Sequence, residues 1–158
     1  GGAVLDAMRA RRRTLATAES CTAGMVAARL TAHAGSSDVF LGGVVAYANE
    51  AKSEMLGVRP GTLERFGAVS AEVAREMSEG VVRALGADYG VAITGIAGPG
   101  GGSEEKPVGT VWIAVAGGAE TSTILHRFVG DRTVVRERAA QAALDAVLRS
   151  IESDPPGP

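Results

Sequence analysis

Val4, Leu5 and Met8 fall on one helical face of residues 3–13, and that segment ends in Arg11-Arg12-Arg13, where cations suit a helix carboxy terminus or a solvated helix end. At Thr14 the period changes. TLATAES (14–20) alternates Leu and Ala with Thr, as a short strand does, and CTAGMVAARLTAHAG (21–35) returns to a helical spacing that Gly35 would close. LGGVVAYA (41–48) reads as a second strand, followed by a helix from an Asn49 cap through about Leu56. Pro60-Gly61 marks a turn, and Ser70 can cap a helix over 71–85 whose apolar positions include Val73, Met77, Val81 and Leu85.

Three further strands are predicted: DYGVAITG (88–95), VGTVWIAVAG (108–117) and TSTILHRFV (121–129). Between the first two lies GIAGPGGGSEEKP, too rich in glycine for regular structure. Asp131 caps a last helix reaching about Ile151, and the tail SDPPGP, 153–158, is expected to be disordered. Helices and strands mostly alternate, but the last two strands are close enough to form a hairpin. The pattern therefore predicts an α/β fold with a mixed sheet between helical layers.

Composition narrows this picture. The 158 residues suit one domain, here 1–152, and the pairing of 46% apolar with only 4% aromatic residues calls for a core of Ala, Val, Leu and Ile. With 16 Lys and Arg against 18 Asp and Glu, the net charge of -2 supplies no field for nucleic acid or an anionic membrane. One cysteine, Cys21, excludes an internal disulfide, and two separated histidines, His33 and His126, leave a zinc site short of ligands. No apolar run reaches the roughly 20 residues of a spanning helix. The expectation is a cytoplasmic protein that uses no metal or cofactor, while the Gly1-Gly2 start is compatible with a domain cut from a longer chain.

The candidate chemistry begins at AESCTAG (18–24), which sets Ser20 where a strand turns into a helix and where backbone N–H groups can meet an oxyanion. A plain helix cap is the competing reading of Ser20, and Cys21 reads as a small core residue. With no histidine suitably placed, a serine nucleophile would need a lysine base. Lys52, early in its predicted helix, sits where the dipole disfavours a cation and lowers its pKa; Tyr47 could relay a proton. Either could equally be a solvated or packing side chain. The glycine loop 94–110 allows close approach to a phosphate, or is simply a flexible link, and it matches neither a P-loop nor a dinucleotide fingerprint. Arg132 and Arg136, one turn apart, suit a phosphate or carboxylate, or else exposed helix charge.

Taken together, TAESCTAG, GSSDVFLGGVVAYANEAKSEMLGV, GAVSAEVAREM, ADYGVAITGIAGPGGGSEEKPVGTVW and GDRTVVRERA resemble the CinA carboxy-terminal domain family. Its stand-alone bacterial members are the PncC type of nicotinamide-nucleotide amidohydrolase. The resemblance covers almost the whole chain and implies a three-layer α/β/α sandwich. It also implies hydrolysis of the carboxamide of nicotinamide mononucleotide to nicotinate mononucleotide and ammonia, in pyridine-nucleotide recycling.

The family's catalytic serine, lysine and tyrosine fall on Ser20, Lys52 and Tyr47. Substrate contacts are implied at Thr94, Gly95 and Gly98, at Cys21 and Thr22, and at Arg132 and Arg136, with Arg132 as the phosphate partner. A homo-oligomer is implied by analogy. The competing function is a pyridine-nucleotide-binding or assembly domain, weak or inactive as a catalyst, taken from a longer protein of the same family.

Overall fold

The structure, a computed structural model, describes residues 1–155. Helix α1 (Gly2–Ala10) leads into strand β1 (Leu15–Glu19). Helix α2 (Met25–Thr31) and a 3-10 turn (Ser36–Asp38) then lead to β2 (Phe40–Val45). Helices α3 (Asn49–Leu56), α4 (Pro60–Phe66) and α5 (Ala71–Leu85) precede β3 (Tyr89–Gly95), and β4 (Thr110–Ala116), β5 (Ser122–Arg127) and α6 (Arg132–Ser153) complete the order.

The strands form one mixed sheet in the order β2-β1-β3-β4-β5. Strand β1 pairs in parallel with both β2 and β3, while β3–β4 and β4–β5 are antiparallel, the latter as the predicted hairpin. Because consecutive side chains of a strand point to opposite faces, the two faces carry different residues. Leu15, Val91, Ile93, Val111, Ile113 and Val115 pack under the layer of α1, α2 and α6. Ala16, Ala18, Ala92 and Ala114 lie on the other face beneath α5, whose Val73, Met77 and Val81 fill the space the alanines leave. These are the two helical layers of an α/β/α sandwich.

Helix α5 comes unusually close to its neighbours. A Cβ on Gly90 would stand 2.5 Å from the Ser78 carbonyl oxygen, and one on Gly80 would run into the carbonyl of Leu56. Two glycines thus set the separation of α5 from β3 and from α3.

Several local expectations are corrected. Pro60-Gly61 opens helix α4 rather than a turn, since a proline at the first helical position loses an N–H that would have had no partner. Helix α2 begins at Met25, four residues later than its apolar spacing suggests, and is followed by Ala32 rather than by Gly35. Asn49 is the first residue of α3, with Ala48 in the cap position. The arginine run lies beyond α1, where Arg12 adopts φ 54. Ser70 and Asp131 do cap α5 and α6, accepting from Val73 N–H at 3.2 Å and Val134 N–H at 2.9 Å. Ser153 belongs to α6, and positions 156–158 of the expected tail lie outside the described residues. None of the described helices is long and apolar enough to cross a membrane.

Alanine normally stabilises a helix interior over glycine by about 1 kcal/mol. At Gly80 the sign is expected to reverse. Gly80→Ala should lower stability by roughly 1–3 kcal/mol through overpacking against Leu56, read as a Tm drop of several degrees. An unchanged or raised Tm would show that α5 is free to move off α3.

Candidate active site

Strand β1 stands where the chain's connections diverge: the link to β2 runs over one face through α2, the link to β3 over the other through α3 to α5. In open α/β sheets a crevice forms at such a point, beyond the carboxyl ends of the strands. Ser20 follows the last residue of β1 there, its N–H extending the ladder to the Ile93 carbonyl at 2.9 Å. The plain-cap reading of Ser20 does not hold. The cap position of α2 belongs to Gly24, at φ 96, and residues 21–24 form a separate turn. That turn is closed by Ala23 N–H to the Ser20 carbonyl, 3.1 Å, and Met25 N–H to the Thr22 carbonyl, 3.0 Å.

Lys52, on α3, is 1% exposed. Its Nζ donates to the main-chain carbonyl of Tyr47 at 2.9 Å, and among the described residues no carboxylate lies within ion-pair distance of it. Burial pushes its pKa below the ordinary lysine range, with the charge that Cys21 can carry acting the other way. The expected direction is therefore found, with desolvation as the leading cause where helix position was anticipated. Tyr47 is 59% exposed, and its hydroxyl accepts from Arg132 Nη2 at 3.0 Å. In this arrangement Tyr47 supports Lys52 through its backbone and meets Arg132 through its side chain.

The glycine loop is tied down at several points. At its neck Ile96 N–H reaches the Thr110 carbonyl and Gly109 N–H the Ile96 carbonyl, at 2.9 and 2.8 Å. Ser103 and Lys106 bond reciprocally, and Lys106 Nζ reaches the Phe66 carbonyl at 2.7 Å. Arg132 Nη1 donates to the Gly98 carbonyl at 2.7 Å, so one guanidinium joins the loop to Tyr47. Thr94 donates its hydroxyl to the Ala68 carbonyl, 2.8 Å, which seats residues 68–69 on the edge of the same crevice.

Ser20, Cys21, Tyr47, Lys52, Thr94, Gly95, Gly98 and Arg132 line one cavity of about 270 Å³. Thr22 and Arg136 do not reach its lining. Thr22 is fully buried with its hydroxyl on Glu19, and Arg136 donates to the carbonyls of Cys21 and Thr22 at 2.9 and 3.3 Å. Cys21 is a poor nucleophile because burial pushes its thiol up to about 11. A larger hollow of about 380 Å³ lies at the opposite end of β1 and β3, between Arg13, Asp88 and Tyr89. Its Asp88 is engaged by Arg13 and Thr14, and neither a lysine nor a serine is among its described lining residues, so the smaller cavity is the candidate site.

Sequence reading passed over Glu19. Its position between an apolar strand and a glycine turn, where an acid must be buried, was the available signal. Asn49, assigned only to a cap, also lines the cavity.

A buried cation without an acidic partner is a stability cost held for another purpose. Lys52→Met keeps the volume and removes the charge, and the exposed position of Tyr47 lets water replace the lost donor. The variant should melt about 2–4 °C higher, on the order of 1 kcal/mol for a domain of this size. A lower Tm would show that the lysine stabilises the fold.

The model of the CinA C-terminal domain matches residues 2–151. A CinA-like protein of Salinibacter ruber is 52% identical over 146 residues, 92% of this chain and 35% of that protein. Another, from Mycolicibacterium vanbaalenii, is 56% identical over 141 residues, 88% of this chain and 33% of its own length. The chain thus spans about a third of the curated relatives it matches. The crystal structure of the competence damage-inducible protein A from Klebsiella pneumoniae superposes with a TM-score of 0.92 at 40% identity, covering 96% of this chain and 94% of that one. The competence/damage inducible protein CihA of Agrobacterium tumefaciens gives 0.87 at 40% identity, with 97% and 98% covered. With the family model matched almost end to end and the overall fold shared with these structures, the chain belongs to the CinA C-terminal domain family.

Proposed function

We propose that this domain hydrolyses the carboxamide of nicotinamide mononucleotide by acyl transfer to Ser20. The observation that carries the reading is Ser20 and an unpaired, buried Lys52 on the wall of one cavity. Neutral Lys52 takes the hydroxyl proton as Ser20 Oγ attacks the amide carbon. Collapse of the tetrahedral intermediate expels ammonia, which leaves with the proton returned by Lys52. Water, deprotonated in turn by Lys52, then releases nicotinate mononucleotide. Backbone N–H groups of the Ser20 turn supply donors for the oxyanion. In this reading Arg132 and the glycine loop take the phosphate, the guanidinium exchanging its Tyr47 or Gly98 contact for phosphate oxygens.

The competing reading, a module that binds a pyridine nucleotide without turnover, draws on the same Arg132 and loop but needs neither Ser20 nor Lys52. Product analysis separates the two. The wild-type domain should release ammonia from nicotinamide mononucleotide, and Ser20→Ala should lose about 10³-fold or more in kcat. Calorimetric binding of unaltered nucleotide with no ammonia at any pH from neutral to mildly alkaline would favour the binding module.

The pH profile tests the base separately. Lysine acts as a base only when neutral, so kcat/KM should rise with pH through an ionisation below the ordinary lysine value of 10.5. Lys52→Met should abolish that limb together with most of the rate. A limb that persists in Lys52→Met assigns the ionisation to another group.

A further inference from the structure

The turn that carries Ser20 is held from behind by two charged side chains. Glu19, 1% exposed, directs its carboxylate away from the cavity. Oε1 accepts from the Thr22 hydroxyl at 2.6 Å and Val26 N–H at 2.9 Å, and Oε2 accepts from Ala27 N–H at 3.1 Å. The carboxylate thereby caps α2 in place of Gly24, which has no side chain to do so. Arg136 reaches in from α6. Its Nε and Nη2 donate to the consecutive carbonyls of Cys21 and Thr22.

This turn needs holding. Ala23 at φ 48 and Gly24 at φ 96 are consecutive left-handed residues, and the first is a strained conformation for an alanine. In a trans peptide the carbonyl of one residue and the N–H of the next point in opposite directions. By drawing the Cys21 carbonyl to itself, Arg136 therefore turns the Thr22 N–H the other way. Both clamps act on the residues that follow Ser20, and neither side chain is on the cavity wall.

We propose that Glu19 and Arg136 are positioning residues, which set the rotation of the Ser20 turn, and that Arg136 makes no contact with substrate. This assignment rests on the acyl-transfer reading above, and it separates two arginines that occupy the same face of α6. Arg132 serves the ligand; Arg136 serves the nucleophile.

Three variants of the 158-residue chain test it: Thr22→Val, which removes a Glu19 bond at constant volume, and Arg136→Lys and Arg136→Met, which leave one donor nitrogen and none. With nicotinamide mononucleotide as substrate, kcat should fall about tenfold in Thr22→Val and at least that much in Arg136→Met. Arg136→Lys should recover part of the loss, and KM should stay within about twofold in all three. Arg132→Met, by contrast, should raise KM. A rise in KM at constant kcat in Arg136→Met, or full activity in all three variants, overturns the proposal.

Hydrogen exchange gives a readout that does not depend on turnover. The Val26 and Ala27 amides should exchange faster in Thr22→Val, and the 21–24 turn should loosen in Arg136→Met, while the amides of β3 and β4 keep wild-type protection. Wild-type exchange throughout the turn overturns the clamp even if the domain is active. A wild-type domain without amidase activity overturns the acyl-transfer reading, and the exchange result then still decides whether the clamp exists.

Discussion

Strand β1 is hydrogen-bonded along both edges and buried on both faces, and the place where it stops determines the site. A central parallel strand cannot shift by one residue without exchanging Leu15 for Ala16 beneath α6 and turning every later side chain to the wrong layer. The register therefore propagates to Glu19 and Ser20, whose N–H still pairs with Ile93. Beyond that bond the chain leaves the sheet, in the region where connections on opposite faces open a crevice. Ser20 is placed there by the ladder before any side chain of the site contributes.

The two faces of the sheet divide the remaining work. On the α6 side, branched side chains supply volume and apolar burial. On the α5 side, alanines and Gly90 give it up, so that α5 lies close to the sheet and α3 close to α5 through Gly80. That compact layer encloses Lys52, which reaches the cavity with its stem out of water and its ammonium on one carbonyl. Desolvation, and not a neighbouring charge, then lowers its pKa.

Much of the fold was legible along the chain because its signals are local. The switch from helical to strand spacing at Thr14, the caps Ser70 and Asp131, and the antiparallel pairing after a short connection each involve residues near one another in sequence. Where the reading failed, a local rule met a competing one. Apolar spacing ran straight through residues 21–24, but the left-handed Ala23 and Gly24, steadied by Glu19 and Arg136, delay α2 to Met25. Pro60-Gly61 suits a turn and a helix start alike, and packing of Leu63 under α5 decided for the helix.

Hydrophobic periodicity and cap chemistry by themselves determined the class of fold, the mixed sheet and the position of Ser20 at a strand end, since these depend on neighbours a few residues away. Matching stretches over nearly the whole chain also marked Lys52, Tyr47 and Arg132 as members of one site. Tertiary structure alone decided what surrounds them. Arg132 and Arg136 are equivalent in sequence, about one turn apart on a helix, yet a rise of about 6 Å separates the first, at Gly98 and Tyr47, from the second, behind the Ser20 turn. Burial of Lys52 likewise depends on α3 and α5 closing over it. Solvent exclusion is a property of segments far apart in the chain, and no pattern within one segment records it.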